Sequence, residues 1–67
     1  MTADQFDALA QLLRLRQGPA REASALVLVD GQSVPDAARS VGMTYQDAYA
    51  AVQRVRAGLE LARKAIA

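Results

Sequence analysis

Apolar residues recur along this chain at the spacing of one helix face, and the recurrence is interrupted at Gly18-Pro19, at residues 30–33 and at residues 41–44. Phe6, Leu9 and Leu13, with Leu12 alongside, advance by three and four residues, and Thr2 stands three residues before Gln5. At that spacing a hydroxyl and a side-chain amide each satisfy a backbone N–H that a helix start leaves open. The pattern predicts a first helix over residues 3–16. Pro19 suits the first turn of a second helix, where its missing N–H would be unpaired anyway, and Gly31 suits the left-handed position just past that helix's end. Ala20, Ala23, Leu26 and Val27 form its expected buried stripe. The run Leu26-Val27-Leu28-Val29 has strand propensity, but no second strand exists to pair with it, so helix is the consistent reading.

Ser33 and Asp36 make another capping pair, with Val34 and Pro35 in the first turn and Ala37, Ala38 and Val41 leading to Gly42. Thr44 and Asp47 cap a fourth helix, whose positions Ala48, Ala51, Val52, Val55, Leu59, Ala62 and Ile66 keep helical steps almost to the end. Gly58 reads as its weak link, costing about 1 kcal/mol against alanine. The predicted fold class is all-α. A single small domain of four to five helices spans residues 1–67, with a helix-turn-helix at about residues 33–56, a long C-terminal helix, and residues 57–67 as an extension that could serve dimerisation.

Composition narrows the chemistry. With no Cys and no His, the chain can hold no disulfide, no thiolate zinc site and no His-based acid–base or nucleophilic machinery. The carboxylates Asp4, Asp7, Glu22, Asp30, Asp36, Asp47 and Glu60 show no metal-ligand spacing, so no enzyme, metal, cofactor or small-molecule ligand is expected. The longest apolar run, residues 25–29, falls far short of the roughly 18 residues that read as a membrane span, and Met1-Thr2-Ala3-Asp4 lacks a leader's basic and apolar regions. A soluble cytoplasmic protein without a membrane partner is the expectation. The net charge of +1 is small for a nucleic-acid binder, but residues 44–67 hold Arg54, Arg56, Arg63 and Lys64 against only Asp47 and Glu60.

The informative constellation lies in residues 33–54, where Ala38 is followed by Gly42 four residues on and by Ala48 six residues further. Ala38 allows two helices to cross closely, Gly42 accepts the positive φ of a sharp turn, and Val41, Met43, Ala48 and Val52 form an apolar wedge between the helices. The second helix then presents Tyr45, Gln46, Tyr49, Ala50 and Gln53 outward, followed by Arg54 and Arg56. Such a face suits the major groove of double-stranded DNA, about 12 Å wide, where glutamine pairs with adenine N6 and N7. Thr44, Tyr45, Gln46, Tyr49, Ala50 and Gln53 are the expected base-reading positions, and Gln32, Ser33, Arg54 and Arg56 the expected phosphate contacts.

The blocks Val27-Leu28-Val29-Asp30-Gly31, Val41-Gly42-Met43-Thr44 and Ala51-Val52-Gln53-Arg54-Val55 resemble the DNA-binding domain of the KorA, or TrfB-related, plasmid transcriptional repressors. Thr2 and Gln5-Phe6 resemble that family's first helix, so the likeness covers nearly the whole chain with a short gap near Gly18. It implies an all-helical bacterial repressor that binds a palindromic operator as a homodimer, with the base-reading helix beginning at Thr44. The family has Arg at the position of Tyr45 and Gln at that of Ala50, so the docking mode carries over and the operator sequence does not. The family's separate C-terminal dimerisation domain has no counterpart in these residues.

Plainer readings stand beside these. A compact αα-corner needs small residues wherever it occurs, Tyr45 and Tyr49 could be buried against a neighbouring helix, Gln46 and Gln53 could be merely solvated, and Arg63 and Lys64 complement a helix C-terminus. Leu59, Leu61, Ala62, Ala65 and Ile66 either fold back onto the first helix or pair with a second copy, the expectation here, since one helix-turn-helix reads few base pairs. Arg21-Glu22-Ala23 and Val29-Asp30-Gly31-Gln32-Ser33 also resemble the promoter-reading C-terminal module of sigma factors, which works tethered to a larger polypeptide. An alternative of another class is a helical protein-interaction module that binds no nucleic acid.

Overall fold

Three helices begin at a hydroxyl that accepts a first-turn N–H, and these local bonds set where the elements start. The computed structural model describes residues 1–66; Ala67, the last residue of the extension expected at 57–67, lies outside the described residues. The fold is all-α, with α1 (Ala3–Leu12), α2 (Pro19–Leu28), α3 (Val34–Val41) and a long α4 (Tyr45–Ile66). Thr2 Oγ1 accepts from the Gln5 N–H at 3.1 Å while Gln5 Oε1 accepts from the Thr2 N–H at 2.9 Å, completing the reciprocal cap. Ser33 and Thr44 make half of that arrangement, accepting from the Asp36 and Asp47 N–H groups at 3.3 and 3.1 Å. Asp36 does not reach back, because its carboxylate accepts from Arg39 Nη2 at 2.7 Å. α2 starts on Pro19 with Gly18 as its uncapped lead-in.

Helix α1 stops a full turn before the expected Arg16. Arg14 takes a left-handed conformation at φ 55°, the Leu15 N–H donates to the Ala10 carbonyl at 2.9 Å and the Arg14 N–H donates to Gln11 at 3.1 Å. These two bonds close the helix as a glycine normally would, at a cost of about 1 kcal/mol for a residue bearing a Cβ. The reversal turns Leu13 and Leu15 back against the core.

The core has two parts with different grain. Phe6, Leu9, Ala10 and Val55 bring α1 onto α4, with Leu28 and Leu59 packed around them. Ala23, Ala37, Ala38 and Ala48 form the buried centre of the other part, where α2, α3 and α4 meet, with Leu26, Val27, Val34, Val41 and Met43 packed around it. Small side chains let the backbones come close at that end, while larger ones fill the other, and α2 touches all three other helices. Two details depart from the expected stripes. Ala20 is exposed, whereas Ser24 is buried, with its hydroxyl donating to the Ala20 carbonyl at 2.9 Å. Leu12 is also exposed and leaves the core to Ala10 and Leu13.

Gly58 is buried rather than a mere flaw in α4. A Cβ built there would lie 2.5 and 2.6 Å from the two Cδ atoms of Leu13 and 3.1 Å from its Cγ, so glycine is what lets α1's end seat on α4. The closest atoms are the tip of the half-buried Leu13 side chain, so turning it aside costs about 1 kcal/mol, close to the about 1 kcal/mol gained from helix propensity. Gly58→Ala is therefore expected to leave stability nearly unchanged, and the same change in a Leu13→Ala background to raise it. Urea denaturation of the four proteins measures the coupling, expected at about 1 kcal/mol; additive effects would remove the contact from the account.

Among the described residues no helix is long and apolar enough to cross a membrane.

Candidate nucleic-acid interface

The corner between α3 and α4 is built by one backbone reversal and a row of small residues. Gly42 stands at φ 75°, its N–H donates to the Ala38 carbonyl, and the Met43 N–H donates to the same oxygen at 2.9 Å. A side chain is strained in that left-handed conformation, which is why glycine serves there. Ala38 and Ala48 face each other across the corner as members of one buried cluster, with Val41 and Met43 partly buried beside them and Val52 buried one turn further along α4. α4 thereby lies across α3 with one side sealed and the other open to solvent.

That open side carries the expected reading residues. Tyr45 and Tyr49 remain 53% and 45% exposed, so they are not core residues of this chain. Their rings stack with centroids 6.0 Å apart and planes 28° from parallel, and the Tyr49 hydroxyl accepts from Gln53 Nε2 at 2.8 Å. Tyr45, Tyr49 and Gln53 thus form one ordered stripe at four-residue steps. The stripe limits side-chain freedom before any partner arrives. Gln46 and Ala50 lie beside it, both exposed. Thr44 uses a hydroxyl lone pair for the α4 cap and keeps its O–H proton for another acceptor.

The expected phosphate contacts are not equivalent. Arg54 and Arg56, two positions apart, point about 200° apart around a helix. Arg54 borders a cleft formed with the α1–α2 connection, and Arg56 borders a second cleft near Met1 and Leu28. Arg56 continues the side of α4 that carries Tyr45 and Tyr49, two turns further along, whereas Arg54 stands at the other edge of the open face, next to Ala50. Ser33 is exposed at the α3 start. Gln32 is half-buried, and its Oε1 is enclosed without a hydrogen-bond partner among the described residues, so only the amine end of its amide can serve an anion.

The five residues assigned to self-association fall on different sides of α4. Leu59 packs on the chain's own core and Ala62 is half-buried, whereas Leu61 and Ile66 are 67% and 87% exposed, and Ala65 is exposed with them. A stripe stepping from 59 to 62 to 66 therefore begins in the core and ends in solvent. Arg14, Arg16 and Arg21, which sequence reasoning left within the first two helices, come together around Gly18 beside Arg54.

No family model, no curated protein and no solved structure matches this chain.

Proposed function

We propose that the chain is a sequence-specific DNA-binding transcriptional regulator that lays the first half of α4 in the major groove and represses from a palindromic operator as a homodimer. The observation that carries this reading is the outward, ordered face of Tyr45, Gln46, Tyr49, Ala50 and Gln53 on a helix whose other side is sealed against α3 and α2. Such a face offers amide donors and acceptors in pairs, the chemistry that distinguishes base edges. The resemblance to KorA and TrfB-related repressors, resting on the blocks quoted above, supports the same role. On this reading the protein works in the bacterial cytoplasm, catalyses no reaction and needs no cofactor. Exposed Leu61, Ala65 and Ile66 on the last turns of α4 support pairing with a second copy, which would set two reading helices about 34 Å apart.

Selection of bound duplexes from random sequence, followed by titration of two variants, tests the reading. A palindrome with half-sites one helical turn apart is expected; an asymmetric promoter-like hexamer would favour the sigma-type module instead. Gln46→Ala is expected to weaken binding to the selected site by about 1–3 kcal/mol while leaving nonspecific affinity nearly unchanged. Arg54→Ala is expected to weaken both and to flatten the salt dependence. Absence of saturable duplex binding would sink the proposal and leave the exposed Leu61 and Ile66 to favour a protein-interaction module.

A further inference from the structure

Half of the chain's eight cationic side chains line one cleft. Arg14 and Arg16 from the α1–α2 connection, Arg21 from the first turn of α2 and Arg54 from α4 surround a space of about 410 Å³, and no Asp or Glu lines it. Two of the four cations elsewhere are neutralised at short range, Arg39 by Asp36 at 2.7 Å and Arg63 by Glu60 at 3.2 Å. Arg14, Arg16 and Arg54 have no carboxylate partner among the described residues and are exposed. Arg21 is the fixed wall, half-buried, donating through Nη1 to the Leu15 carbonyl at 3.3 Å and lying 3.7 Å from Asp7. Three unpaired guanidinium groups stand beside Arg21, whose charge Asp7 partly offsets; they repel each other in the free chain, and the same field attracts a concentrated negative charge. Arg14 adds a second sign of purpose, since it occupies a left-handed position at φ 55° that glycine would fill without strain.

We infer that this cleft clamps a backbone phosphate of the DNA strand flanking the groove that α4 enters. The inference rests on the reading of α4 as the groove helix. Arg54 joins the two surfaces, because it follows Gln53 directly in sequence and also borders the cleft. From Gln46 to Arg54 the helix advances about 12 Å, comparable to the width of the major groove, so a duplex seated on Gln46 runs its sugar-phosphate wall toward Arg54. Arg14 and Arg16 then close on that wall from the α1–α2 connection. A guanidinium offers paired N–H donors to phosphate oxygens, which suits arginine better than lysine to this contact.

Fluorescence anisotropy with a labelled mixed-sequence duplex, titrated at several salt concentrations, tests the clamp. Arg14→Gln/Arg16→Gln is expected to weaken duplex binding at least about tenfold at low salt, to reduce the slope of log affinity against log salt by about 2, and to leave sequence preference intact. Arg14→Gly is expected to weaken binding while raising the melting temperature by about 4–8 °C, an opposition that a merely structural arginine would not produce. If the unaltered protein binds the duplex and the double variant matches it in affinity and salt slope, the clamp is wrong and the groove helix stands. If the unaltered protein binds no duplex, the groove reading falls and takes the clamp with it. Resonances of residues 14–21 that move with inorganic phosphate, while the double variant keeps full duplex affinity, would give the cleft to a free anion and overturn the clamp.

Discussion

Phe6→Ala is expected to cost about 3–5 kcal/mol, at least about a third of the stability of a chain this short. At roughly 0.05–0.15 kcal/mol per residue, 67 residues hold about 3–10 kcal/mol in total. Phe6 is 3% exposed and is the one aromatic side chain in the core, since both tyrosines stand on the surface. Its neighbours Leu9, Ala10 and Val55 tie α1 to α4, and α1 makes no contact with α3 that could take over the load. Truncation leaves a cavity between α1 and α4, bordered also by Leu28 and Leu59. Thermal denaturation followed by far-ultraviolet circular dichroism should show a midpoint lowered by at least about 12 °C. A drop below about 5 °C would mean that α1 contributes little to the fold, and the two-part core would have to be redrawn.

Ala48→Leu is expected to disable both halves of the molecule's design at once. Ala48 is fully enclosed among Ala23, Ala37 and Ala38, where three helices meet through methyl groups. A leucine adds three carbon atoms to a fully enclosed place bordered by Leu26, Val27, Val34, Val41 and Met43. Overpacking of this kind costs about 1–3 kcal/mol. The less costly response is for α4 to tilt away from α3, which would carry Tyr45, Gln46 and Tyr49 out of line with the corner. Duplex affinity should therefore fall by more than the loss of folded protein accounts for, as read by titration under conditions where circular dichroism still reports helix. Ala50→Leu serves as the comparison, being on the same helix and exposed; it should leave the melting midpoint within about 3 °C of the parent. Equal melting midpoints for Ala48→Leu and the parent protein would refute the close three-helix crossing.

Features that depend on a few neighbouring residues were legible without coordinates. The caps at Thr2, Ser33 and Thr44, the left-handed Gly42, the start of α2 at Pro19 and the length of α4 all arise from hydrogen bonds or steric limits spanning six residues or fewer. The outward face of α4 was legible for the same reason, since helical phase follows from residue spacing alone.

Periodicity and capping chemistry thus establish, from the chain alone, that it is helical, where three helices begin, and which side of α4 is polar. They do so because each rests on local geometry that the backbone repeats wherever the residues occur. The burial of Ser24, the need for glycine at position 58 and the gathering of Arg14, Arg16, Arg21 and Arg54 belong to the folded molecule. Each depends on surfaces brought together from separate helices, and packing between them is a matter of distance and volume that no spacing rule along the chain encodes.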